Sequence, residues 1–468
     1  MANKITPRKF TRRDFLKLTG QGALLGLLGS TVRSYANAAA GPRERRSYSP
    51  VARPLAASVA HHKRFVATDN MDDVILPGRL VTPLADPNDP ASYVPLYVFG
   101  FREVLAPPPF VPPQTDPGSL LDVPPTTDPP LTSSLPLAAS IDDLDVYKGR
   151  VQMPSPIIAV TEGDELYLTM TNLGFVGRPD LDDSHTIHWH GFPNATAIFD
   201  GVPEVSIAVL PARNFPYYYK APPRPGTYMY HCHFEDSEHV QMGMDGVVFI
   251  RPAADPKWAY SHVSTAFDRE WTLLLNEIDT RPHDGLLAVQ EFVWSDFKPT
   301  YWIINGRSYP HTLLPNNDPL LRSQTISSLI QIKETEIGLL RLANLGYEQQ
   351  AMHLTGIPMK VVGEDATFLR GPNLEDLSYM TDTIYIGPGE ARDVLFTAPA
   401  FDDGLLSGAV VYSDDTGSYN RYLLKSRNLQ HLINPGLPGL GGMATEVRVY
   451  PTATPLLGPQ TEPNQTYL

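Results

Sequence analysis

The chain has 468 residues, long for one domain and suited to two or three of ordinary size. Charged residues make up 19% and hydrophobic residues 42%, with 47 prolines; this balance suits a β-rich, loop-rich globular protein and excludes a coiled coil or a wholly disordered chain. A net charge of −14 argues against a nucleic-acid partner, and the single cysteine, Cys232, rules out an intrachain disulfide and a cysteine-rich zinc site.

At the N-terminus, Thr11-Arg12-Arg13-Asp14-Phe15-Leu16-Lys17 reads as a twin-arginine export signal. The apolar stretch from Leu18 to Val32 is too short and glycine-rich to anchor in a membrane, and Ala36-Asn37-Ala38 offers small residues for cleavage. Residues 1–38 are therefore expected to be a removable signal and the mature protein to be periplasmic, with no membrane span. Their loss removes seven basic residues and one acidic residue, taking the net charge from −14 to −20.

Residues 39–90, with mixed charge and many prolines, read as an extended lead-in. A first β-domain is expected over 91–255, opening on a strand from Tyr93 to Glu103. Within it, a Pro-rich insertion at 106–140 can form neither helix nor central strand and reads as polyproline-like surface chain. In Asp164–Asn172, Leu166, Leu168 and Met170 alternate with Tyr167, Thr169 and Thr171, as a half-buried strand requires. A second domain is expected over 262–452, with strands beginning near Trp271, Tyr301, Gly338 and Asp382, followed by a tail at 453–468. The predicted fold class is all-β, two antiparallel sandwiches. GDELYLTMTNLG in the first half is echoed by ETEIGLLRLANLG in the second, which fits a duplicated domain.

The chemistry is concentrated in two clusters of the first domain. One is His185-Thr186-Ile187-His188-Trp189-His190; the other is His231-Cys232-His233, followed by His239, Met242 and Met244. Side chains alternate faces along a strand. His231 and His233 therefore point one way and Cys232 the other, while His188 and His190 share a face opposite to His185. Cys232, His185, His239 and Met244 then form one set, with Met242 as the other candidate for the axial methionine. Two imidazoles, a thiolate and a weak thioether make a type 1 blue-copper site. His188, His190, His231 and His233 form a second set suited to further copper. Zinc suits a generic histidine cluster but explains neither the Cys–Met pairing nor the order.

These motifs resemble those of the multicopper oxidases, the family of laccases, ascorbate oxidase, bilirubin oxidase and bacterial cuprous oxidases. The likeness runs over most of residues 145–450. It is carried by GRVQMPSPIIAVTEGDELYLTMTN, HWHGFPNATAIFDGVP and GTYMYHCHFEDSEHVQMGMDGVVFI, and in the second half by WIINGRSYP, MHLTGIPMKVVGEDA and TIYIGPGEARDVLFTAP. It implies two cupredoxin-like Greek-key domains, with type 1 copper and type 2/type 3 copper as cofactors. It also implies an acidic residue at Asp200 that assists proton delivery; the alternative for Asp200 is a turn aspartate before glycine. Glu235 and Glu238 either do similar work or are solvated.

The departures from the family are as informative. Motifs of its last domain stand here in the first, and six residues separate Cys232 from His239, where laccases have four. Where the family has H-P-x-H-x-H-G, the second domain has Gln350-Ala351-Met352-His353-Leu354-Thr355-Gly356, so His353 is either a surviving ligand or a structural residue. The second H-x-H position, placed near Gly408–Ser413, holds no histidine. The family's trinuclear centre takes eight histidines, and one chain offers four, or five with His353. The expected function is a laccase-like oxidoreductase passing single electrons from a small reducing substrate or donor protein to oxygen. Its histidine cluster would be completed by a homo-oligomer or hetero-complex. The alternatives are a copper nitrite reductase-like enzyme, a non-catalytic blue-copper carrier, and a copper-free scaffold.

Overall fold

The computed structural model describes residues 59–71, 73–82, 85–104, 144–192, 196–405 and 407–467. The signal segment and the Pro-rich insertion lie outside them. Among the described residues no helix is long and apolar enough to cross a membrane.

The first sandwich is built from β1 (Ala60–Asn70), β2 (Val98–Glu103), β3 (Ile158–Thr161), β4 (Glu165–Asn172), β5 (His188–His190), β6 (Arg213–Lys220), β7 (Gly226–His231) and β8 (Asp245–Arg251). One sheet runs β2-β1-β4-β6 and the other β3-β8-β7-β5. Their inner faces close on one apolar core that includes Phe65, Phe99, Leu168, Tyr217, Tyr230 and Val248. Leu166, Leu168 and Met170 take the buried positions that their alternation predicts.

Two expectations for this region are corrected. The stretch read as a lead-in contains β1, an internal strand that pairs parallel with β4 and antiparallel with β2. Its opening His61-His62-Lys63-Arg64 disguises it, while Phe65 and Ala67 face the core and Val66 is buried on the opposite face. The strand predicted from Tyr93 begins only at Val98, because Pro95 has no N–H to give a ladder.

The second sandwich comprises β9 (Arg269–Ile278), β10 (Tyr301–Ile304), β11 (Ile330–Lys333), β12 (Ile337–Asn344), β13 (Gln350–Leu354), β14 (Met359–Glu364), β15 (Thr367–Phe368), β16 (Tyr379–Thr381), β17 (Thr383–Ile386), β18 (Ala391–Thr397), β19 (Tyr412–Ser413), β20 (Ser418–Ser426) and β21 (Ala444–Tyr450). One sheet runs β10-β9-β12-β18-β14-β15 with β16 on β14, and the other β11-β21-β20-β13-β17 with β19 on β20. Trp271, Leu340, Val361 and Val394 of the first meet Ile332, Met352, Leu424 and Val447 of the second. The residues read as a tail are tied to β9: Glu270 N–H donates to Gln460 Oε1 at 2.7 Å, and Thr272 N–H to Asn464 Oδ1 at 2.8 Å.

Met229 and Val247 of the first sandwich share an apolar cluster with Leu274, Ala343 and Ala391 of the second. Beside it the buried Asp393 carboxylate accepts from Thr227 Oγ1 at 2.6 Å and Tyr260 Oη at 2.7 Å, so the junction is anchored by polar as well as apolar contacts.

Glu277, at the inner end of β9, accepts from Glu348 N–H at 3.1 Å, yet burial pushes its carboxyl up to about 8. The folded chain thus keeps a proton that the unfolded chain has released above its ordinary range, so stability falls as pH rises from about 4.5 to 8. Glu277→Gln is expected to lose this slope. Thermal midpoints from pH 5 to 8 should fall less in the variant than in the wild type, and parallel profiles would refute the assignment.

Candidate metal centre

The short strand β5 is held rigidly. Trp189 stacks on Tyr219 with ring centroids 4.1 Å apart, Ile187 N–H donates to Tyr217 Oη at 3.0 Å, and Tyr219 Oη donates to Phe199 O at 2.8 Å. Pairing with β7 sets His188 opposite His231 and Trp189 opposite Tyr230. Gly201 closes the adjoining turn at φ +80°, where a Cβ would lie 2.2 Å from Ile187 O, so only glycine fits.

The two donor sets emerge on opposite faces. His185, Cys232 and His239 bring one potential ligand atom each to within 4.8 Å of one another, all three buried. Cys232 Sγ lies 3.2 Å from His239 Nδ1 and accepts from Thr186 N–H at 3.4 Å. Cys232 N–H donates to Met244 O at 3.0 Å, which draws Met244 to this pocket through its main chain; Met242 ends the helix α1 (Asp236–Met242) and is equally buried.

His188, His190 and His231 form the second group, with the His233 ring 5.1 Å from that of His188. His188 Nδ1 hydrogen-bonds Asp200 O at 2.7 Å and His231 Nδ1 hydrogen-bonds Cys232 O at 2.8 Å. Carbonyl acceptors fix those nitrogens as N–H and leave Nε2 free to bind a metal. The Asp200 carboxylate stands 3.6 Å from His188 Nδ1.

The residues fit copper on the chemistry of the first pocket. Neither ring nitrogen of His185 has a hydrogen-bond partner. A buried polar group left unpaired costs about 1–3 kcal/mol, and a ligand bond offsets that cost. Burial holds His231 and His239 down to about 3, which keeps the imidazoles neutral as ligation demands, and pushes the Cys232 thiol up to about 11. A thiol held protonated by burial becomes a thiolate only with a cation beside it, and the soft S/N set suits copper.

Three findings go beyond or against the sequence reading. Asp183 and Glu238 converge on the outer edge of His239, and burial, with repulsion from neighbouring carboxylates such as Glu235, raises them to about 6 and about 7. Asp183 was legible only as the last acid of Asp180-Leu181-Asp182-Asp183 before His185. Second, among the described residues His353, on β13, joins neither donor group; its Nδ1 hydrogen-bonds Asp382 O at 2.7 Å. Third, the segment near Gly408–Ser413 is not the counterpart of His231-Cys232-His233. Pairing sets Lys425 opposite His353 as His231 is opposite His188, so the counterpart is Lys425-Ser426-Arg427.

Fold and site together define a cupredoxin-like protein of two sandwiches, with a buried Cys–His pocket back to back with an imidazole cluster. Residues 146–255 match the multicopper oxidase family model, a family whose members bind copper. Among similar sequences are Laccase-19 of Oryza sativa subsp. japonica, 27% identical over 54% of this chain and 39% of that laccase, and Laccase-1 of Cryptococcus neoformans, 22% identical over 56% and 40%. The matched stretch thus spans less than half the length of those relatives. Among solved structures, the blue copper oxidase from Nitrosomonas europaea has a TM-score of 0.53 at 21% identity, covering 83% of this chain and 86% of its own. The multicopper oxidase mgLAC has 0.54 at 20%, covering 86% and 92%. These likenesses bear on the fold, which is all-β and cupredoxin-like as predicted.

Proposed function

We propose that the chain is a laccase-like copper oxidase, exported to the periplasm by its twin-arginine segment. It would take single electrons from a reducing substrate at the cysteine pocket and pass them to the imidazole cluster, where oxygen is reduced to water. Copper, when bound, supplies the one-electron redox chemistry at both places. The observation that carries this reading is the position of Cys232: its side chain lies in one donor set, and its covalent neighbour His231 lies in the other.

The chain's own residues divide the work. His185, Cys232, His239 and Met244 hold the electron-accepting metal away from water, all of them fully buried. The main chain from Cys232 to His231 and His233 gives a short covalent route to the second set. Asp183 and Glu238 at the outer edge of His239 favour donors that carry positive charge or release a proton on oxidation. Asp200 holds a carboxylate beside His188 and serves as the proton source on the oxygen side.

Copper counted per chain, with electron paramagnetic resonance separating the types, tests this reading. A copper-loaded protein that is colourless would overturn it. The axial position has its own test. Met244→Leu is expected to keep the blue colour and shift the redox potential, because a weak axial ligand tunes it, whereas Met242→Leu should do little. The reverse pattern would move the axial role to Met242.

A further inference from the structure

The second sandwich repeats the first around the metal pocket, bond by bond. Cys232 N–H donates to Met244 O at 3.0 Å and Met244 N–H to His239 O at 3.0 Å; Ser426 N–H donates to Met443 O at 2.9 Å and Met443 N–H to His431 O at 2.8 Å. Cys232 Sγ lies 3.2 Å from His239 Nδ1, and Ser426 Oγ lies 3.4 Å from His431 Nδ1. The fourth position follows from the Asn-Leu-Gly turns. Asn172 Nδ2 donates to the carbonyl of Val209, the residue bridged to His185, and Asn344 Nδ2 donates to the carbonyl of Ile386, the residue paired with Gln350. His185, Cys232, His239 and Met244 therefore correspond to Gln350, Ser426, His431 and Met443. Four residues separate Ser426 from His431, shorter than the six between Cys232 and His239.

The two pockets differ in how their polar atoms are satisfied. In the first, both ring nitrogens of His185 lack a hydrogen-bond partner. In the second, His431 Nδ1 meets Gln350 Oε1 at 3.0 Å and His431 Nε2 meets Asn428 Nδ2 at 2.8 Å, while Gln350 Nε2 donates to Glu277 Oε2 at 3.4 Å. The His431 ring also stacks on Trp302, with centroids 4.5 Å apart and planes 11° from parallel. A hydroxyl and an amide have replaced the thiolate and one imidazole. Those two changes remove the soft, charged thiolate and one neutral imidazole donor, and the new groups close the gap with hydrogen bonds.

We propose that Gln350, Ser426, His431 and Met443 are a former type 1 copper pocket, closed by hydrogen bonding, which Gln350→His with Ser426→Cys reopens to copper; the inference rests on the type 1 reading of the first pocket. Serine and cysteine are nearly isosteric, and Met443 is fully buried like Met244, so the backbone frame for the site is already in place.

The test is made in the full chain carrying Cys232→Ser, which silences the first pocket's thiolate. Adding Gln350→His and Ser426→Cys is expected to raise bound copper by about one ion per chain and to restore a thiolate-to-copper charge-transfer band. Ser426→Cys alone should give a weaker band, since Gln350 still competes for His431. A folded, colourless protein in both cases would overturn the proposal, and so would loss of the fold in both, because the pocket would then no longer have the size of a copper site. Wild-type chain is measured alongside: His431→Ala should leave its copper content unchanged, and a loss there would show a working site rather than a closed one. A colourless wild type would instead refute the type 1 reading of Cys232, separately from the result at Ser426.

Discussion

Cys232→Ser is expected to leave a folded, colourless protein that no longer oxidises its substrate. The blue colour of a type 1 site arises from charge transfer between a cysteine thiolate and copper, and a serine hydroxyl supplies neither the charge nor the polarisable sulfur. The fold should survive, since Ser426 already occupies the same main-chain position in the second sandwich with the same backbone bond to a methionine carbonyl. The loss of turnover should be close to complete, because in the proposed function Cys232 would be both a ligand and the covalent link to His231 and His233. Absorbance, copper content and oxygen uptake measured on one preparation separate the outcomes. A colourless variant that turns over at the wild-type rate would sink the electron route while leaving the ligand assignment standing.

The first pocket was legible in the sequence because its chemistry is packed into two short stretches whose order of His, Cys and Met suits one pocket. His185 and His188 fall in different donor groups, as do His231 and Cys232, although β5 begins only at His188 and β7 ends at His231, so the alternation carries past the strand ends. What escaped was long-range. β1 hides behind a run of histidine and basic residues, and only its pairing with β4, about a hundred residues on, makes it a strand. The counterpart of the H-C-H motif in the second sandwich was misplaced for the same reason. Lys425-Ser426-Arg427 has no histidine to flag it, and nothing but its register against β13 identifies it. Asp183 likewise gains meaning only from the turn of α1 that brings Glu238 to the same edge of His239.

Two chains are expected to bind about five coppers, one in each cysteine pocket and three shared across a two-fold axis. The family's oxygen-reducing centre takes imidazoles from two facing cupredoxin domains, and this chain has only one domain that offers four. The second sandwich cannot complete the set, because the positions opposite its His353 and beyond carry Lys425 and Arg427 where the first sandwich has His231 and His233. Fixed cations repel copper ions, so a head-to-tail contact would bring the wrong charge to the cluster. Two first sandwiches facing one another supply eight imidazoles, and self-complementary pairing is the commonest way for identical chains to associate. Sedimentation of the copper-loaded protein, with metal analysis of the same fractions, should give a dimer at about 2.5 coppers per chain. His190→Ala is expected to lower the shared copper and leave the blue colour, since His190 is in the imidazole group and not in the cysteine pocket. A hetero-complex would show itself as an isolated chain inactive until a second protein is added. A mononuclear site using His353 would give about two coppers per chain and fail in His353→Ala. A monomer that reduces oxygen to water with its full copper content would rule the shared centre out.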